Sequence, residues 1–151
     1  MRFLSVILSF TFIFSSCSIA PYDQEKNCSE RGLNALKSDA ASAKNSTEED
    51  KNTIAESLKK FYSEHAKDIQ SCYQAYLDSS SSNRNEYAVC TVVTIKSGEL
   101  TFLDVADKEN GLDAEIQKCI EDKFHSFDYK VIDNKYSYTV QQPYYFKTRR
   151  L

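Results

Sequence analysis

The chain has 151 residues, 41% of them hydrophobic, with 19 basic against 22 acidic side chains and a net charge of −3. That length suits one domain with a modest core, and the weak acidic balance gives no electrostatic reason to bind nucleic acid. Zinc spacing is absent, since no two of the 5 cysteines stand close in sequence and His65 and His125 are isolated.

Residues 1–16 read as an export signal: Arg2, an almost wholly apolar run from Phe3 to Phe14, then Ser15-Ser16 ahead of Cys17. The run is shorter than the roughly 20 apolar residues of a membrane span. The segment before Cys17 resembles a bacterial lipobox, with Phe14 where leucine is commonest, so Cys17 is expected to be acylated and to become the new N-terminus. Ordinary cleavage after Ala20 is the rival, against which Pro21 stands next to the cut. A buried first helix is the plainest alternative. Removal of residues 1–16 leaves 135 residues and a net charge of −4, since Arg2 is the only charge lost. Ser18, rather than aspartate, favours sorting to the outer membrane.

Residues 17–52 read as a lipidated, flexible leader. From Ser38 to Asp50 there is no aromatic residue and only small apolar ones, too little to offset the entropy of ordering. Asn27-Cys28-Ser29 and Asn45-Ser46-Thr47 match the glycosylation sequon, a weak pattern with no role in a bacterial host. The folded domain is expected over 53–147, with 148–151 a tail in which Arg149-Arg150 forms a small basic spot.

Ser46-Thr47-Glu48-Glu49 offers a capping box. Behind it Ile54, Leu58, Phe61, His65, Ile69, Cys72 and Tyr76 recur at steps of three and four, the stripe of an amphipathic helix. The helix is expected to run to about Leu77 and to end in the Ser79–Asn83 run. From Glu86 the period becomes two: Tyr87, Val89, Thr91, Val93 and Ile95 share one face of a strand. Lys96–Glu99 is a hairpin turn with Gly98 free to take positive φ, and Leu100–Ala106 is the returning strand. Gly111-Leu112-Asp113 opens a second helix, striped by Leu112, Ile116, Cys119, Ile120 and Phe124. Asp133-Asn134 turns into a third strand, Lys135 to Gln142, and Pro143 suits the end of an edge strand.

The fold class that follows is α+β: two helices packed on one face of a three-stranded antiparallel sheet, in the order helix, strand, strand, helix, strand. A right-handed crossover puts the first strand in the centre and the third at an edge.

Acylation of Cys17 leaves an even set of cysteines, for which sequence count alone permits three connectivities. Export makes disulfides more natural than metal ligation. Cys72 and Cys119 lie on the apolar stripes of two helices that share one core, so their pairing would staple helix to helix. The alternative is that both are small buried hydrophobes. Cys90 points away from Val89 and Val93, toward the bare sheet face, which only the leader with Cys28 is free to reach. Cys28–Cys90 is the expected second pair.

The segment Ile69-Gln70-Ser71-Cys72-Tyr73, the hairpin at Gly98, Ile116-x-x-Cys119-Ile120 with Phe124 and Phe127, and Tyr138-x-Val140-x-x-Pro143-x-x-Phe146 resemble the AgmX/PglI C-terminal domain, a relative of the TonB C-terminal domain. The resemblance covers about residues 54–147. It implies the same element order, a pairing of Cys72 with Cys119, a periplasmic interaction role and no common catalytic residue. The chain departs from it at Asn85-Glu86-Tyr87, at Phe127-Asp128, and in carrying Cys28 and Cys90. TonB-like domains bind extended peptides along an edge strand.

No catalytic motif stands out, and no cofactor or metal is expected. His65 reads as a core-edge residue, and His125 as a cation near the end of a helix. Tyr136, Tyr138, Val140, Tyr144 and Tyr145 crowd the C-terminal strand. Cross-strand packing is one account and partner recognition the other. The functional expectation is a non-enzymatic, lipid-anchored periplasmic interaction module. It would bind an envelope protein along the third strand and hold the membrane through its N-terminal lipid. The alternative is a small periplasmic enzyme or small-ligand binder using the open sheet face, with convergent polar groups near Cys90.

Overall fold

The computed structural model describes residues 24–42, 48–79, 85–132 and 137–148. In chain order they form a helical turn α1 (Gln24–Asn27), α2 (Glu30–Ser42), the long helix α3 (Glu48–Ser79), β1 (Tyr87–Lys96), β2 (Glu99–Ala106), α4 (Ala114–Ser126) and β3 (Tyr138–Phe146). Cys17, Tyr136, residues 1–16 and the proposed cap at Ser46 lie outside the described residues.

The α+β class holds, with α3 and α4 on one face of a three-stranded antiparallel sheet of order β2-β1-β3. Alternation in β1 explains why. Val89, Val93 and Ile95 are fully buried on the α3/α4 side against Ile69, Ile116, Ile120 and Phe124, each contributing about 2 kcal/mol of apolar burial. Helix α3 carries the expected stripe and adds Tyr62 and Tyr73 on its flank, both buried. Phe61 meets Phe127 while Cys72 is bonded to Cys119, so α3 and α4 run antiparallel. Asp113 caps α4 by accepting the Glu115 N–H at 2.9 Å. In the hairpin both central residues have positive φ, Ser97 at 52° and Gly98 at 75°, with Lys96 paired to Glu99. This is the mirror-image turn that suits the twist of paired strands.

Helix α3 spans Glu48–Ser79, close to the expected bounds, whereas β3 differs at both ends. Strand β3 starts at Tyr138 and continues through Pro143 to Phe146. Pro143 is tolerated inside it because its register position, opposite Cys90, turns the missing N–H away from β1.

The larger correction concerns the leader, which is not a flexible stalk over 24–42. Helix α2 lies across the second sheet face, where Leu33, Ala35 and Leu36 pack on Val92, Phe102, Cys28 and Cys90. Two leucines bury little by themselves, so other contacts hold the helix in place. Ser29 caps α2, accepting the Gly32 N–H at 3.0 Å and donating to Asp104 Oδ2 at 2.6 Å. Gly32 permits the close approach, because a Cβ there would stand 2.9 Å from Asp104 Oδ2 and 3.1 Å from Val92 Cγ2. The sheet is therefore covered on both sides.

Candidate functional site

Both expected disulfides are present. Cys72–Cys119 joins α3 to α4 with Cα atoms 5.7 Å apart. Cys28–Cys90 joins the N-terminal arm to the central strand at 5.0 Å. The arm is fixed on either side of Cys28. Asn27, 2% exposed, donates from Nδ2 to Asp107 Oδ1 at 3.3 Å, and its carbonyl accepts the Lys108 N–H at 3.0 Å. Asp107, also 2% exposed, further accepts the Ala88 N–H at 2.9 Å, the Asn110 N–H at 3.1 Å and Asn110 Nδ2 at 3.0 Å. Burial of Asn27 removes the first sequon as an acceptor whatever the host.

The tyrosines of β3 are placed differently from the recognition account. Even-numbered positions share the face of Val93, so Tyr138, Val140, Tyr144 and Phe146 turn into the α3/α4 core. Tyr144 meets Phe124 at 6.3 Å between ring centroids. Cross-strand and helix packing employs these side chains, Tyr138 and Phe146 being buried and Val140 and Tyr144 partly so. Burial pushes the phenols of Tyr62, Tyr129, Tyr138 and Tyr144 well above their usual range. Tyr129 donates to the Phe124 carbonyl at 2.9 Å, whereas among the described residues the hydroxyls of Tyr62 and Tyr144 find no partner. Tyr145 turns to the α2 side, as does Gln141, whose Nε2 donates to Cys28 Sγ at 3.4 Å.

What β3 presents outward is main chain. Thr139 N–H points away from β1 and donates to Asp39 Oδ2 of α2 at 2.8 Å. Burial raises the Asp39 pKa, and the Thr139 N–H partly opposes that rise. Alternation turns the positions of Gln141, Pro143 and Tyr145 the same way. Pro143 brings no N–H, and its carbonyl accepts Gln142 Nε2 at 3.2 Å. A capped donor and a proline are devices that blunt a sheet edge.

His65 stacks on Phe127 at 4.1 Å, lies 4.6 Å from Phe61 and pairs with Asp68 at 3.2 Å. It is a clasp between α3 and α4. Among the described residues no group of His, Cys, Asp and Glu is arranged to hold a metal ion, and no helix is long and apolar enough to cross a membrane.

Comparison with family models, curated proteins and solved structures returns no match. The resemblance to the AgmX/PglI domain finds no support there. Sequence reasoning missed Asp39, Asn27, Asp104 and Asp107 as the polar fastenings of the arm. Their partners lie 75 or more residues away, and single polar contacts leave no periodic trace. A signal did exist for α2 in Ser29 followed by Leu33 and Leu36.

Proposed function

We propose that this chain is a non-enzymatic, lipid-anchored interaction module of the bacterial envelope, tethered to the outer membrane at Cys17 and facing the periplasm. The observation that carries the reading is the pair of interior disulfides downstream of a lipobox-like cysteine, which fits an oxidising compartment. The polar clusters support a binding role over a catalytic one. Asp104 and Asp107 spend their oxygens on Ser29, Asn27, Ala88 and Asn110, holding segments together. The sheet face that a small-ligand reading needs open lies beneath α2, so that reading is not carried forward.

The partner surface is the edge of the sheet formed by β3, read through main chain. Site-specific photocrosslinkers at Gln141 and Tyr145 in native membranes test it, with controls at Thr101 on β2 and Gln70 on α3. Discrete adducts from the β3 positions alone are expected. Adducts of equal yield from all four positions, or from the controls only, would remove this surface.

A further inference from the structure

The N-terminal arm enters the domain at one end of the sheet. Asn27 is tied to Asp107 and Lys108, Cys28 to Cys90, and Ser29 to Asp104. There β1 begins and β2 ends, and by the pairing of Tyr87 with Phe146 β3 ends there too. Lys26, Glu86, Lys108, Glu109 and Lys147 are exposed around it. The opposite end carries the Ser97-Gly98 turn and Tyr129–Val131, with the first turns of α3 on that side. From Cys90 to the turn is about 23 Å at the rise of a strand.

We infer that the end of the domain bearing Asn27, Lys108 and Lys147 faces phospholipid headgroups, and that the Ser97-Gly98 end points into the periplasm. The inference rests on acylation of Cys17. Six residues separate Cys17 from Gln24, and the link between them spans at most about 25 Å when fully extended. Because Asn27 and Cys28 are locked to the sheet, the domain cannot lengthen this link without breaking them. Presenting the far end to the membrane requires the link to run almost straight along the whole domain, the arrangement with the least conformational freedom. The near end needs no such extension. Its chemistry suits the contact, the exposed charges among the described residues including the ammonium groups of Lys26, Lys108 and Lys147 beside the carboxylates of Glu86 and Glu109.

The test uses the full acylated chain in bicelles containing a gadolinium-chelating lipid, with amide relaxation read by NMR after intact mass has established the acyl group. The amides of Ala88, Lys108 and Lys147 are expected to relax several-fold faster than those of Ser97, Gly98 and Lys130. A Gly/Ser insertion between Cys17 and Gln24 is expected to flatten that gradient. An acylated chain with the reverse gradient, or with none, overturns the orientation while leaving the anchor intact. A mass without acyl groups overturns the anchor and the orientation together.

Discussion

Replacing Cys72 and Cys119 together by alanine removes the covalent tie between α3 and α4 while leaving Cys28–Cys90 in place. The two residues are 47 apart in sequence, and restoring the freedom of a loop that long to the unfolded chain costs about 4 kcal/mol in the chain-entropy account. The lost sulfur of Cys72, 2% exposed, adds a small cavity term of about 1 kcal/mol. A loss of about 3–5 kcal/mol is expected, a large share of the roughly 5–15 kcal/mol that stabilises a domain. Urea unfolding followed by far-UV circular dichroism reads it, tryptophan being absent. The midpoint should fall and the slope should rise, because an unfolded state with fewer crosslinks exposes more surface. A loss below about 1 kcal/mol with an unchanged slope would refute the reasoning, since the loop would then constrain nothing in the unfolded chain.

Three further outcomes follow from side-chain geometry. The raised Asp39 pKa means the folded state holds that proton more tightly than the unfolded chain. This contribution is full below the unfolded carboxyl value and is lost as pH rises through the folded one. Asp39→Asn should therefore lose ground to wild type on acidification from neutral pH, and a difference independent of pH in urea midpoints would contradict the linkage. Tyr62→Phe deletes a buried hydroxyl with no partner among the described residues and should stabilise by about 1 kcal/mol, while Tyr129→Phe, which forfeits a bond to the Phe124 carbonyl, should cost about as much. Thermal melts of both variants moving the same way would count against that assignment. Gly32→Val drives carbons into Asp104 and Val92 and should loosen α2 by about 1–3 kcal/mol. Hydrogen exchange would show it as faster amides in α2, with β1 and α4 unchanged.

The parts of the fold legible in sequence are those in which many residues repeat one instruction. Ile54 to Tyr76 recur at helical spacing and Tyr87 to Ile95 alternate, and the crossover rule then places β1 in the centre, where it is found. Parity in β1 also sent Cys90 to the face opposite Val89, which is how its partner was identified. Parity in β3 was equally readable, since Tyr138, Val140 and Tyr144 fall on one side. Which side faced the helices depended on the register with Val93, and aromatic residues are favoured both in cores and at interfaces. Helix α2 left only a thin trace, Ser29 ahead of Leu33 and Leu36, because its 13 residues include only two leucines. Its docking comes from a disulfide, a glycine and single hydrogen bonds to distant positions, none of which forms a pattern.

The two disulfides interleave along the chain, 28 with 90 and 72 with 119. A protease that cuts once anywhere between Cys28 and Cys119 therefore leaves two pieces still joined, and a cut between Cys72 and Cys90 leaves them joined twice. Of the three strands, β3 alone lies outside both rings. A nicked molecule would keep its arm, both helices and two strands on one covalent frame until a reductant arrives. The strand proposed to meet a partner is thus the one strand of the sheet that no disulfide loop encloses.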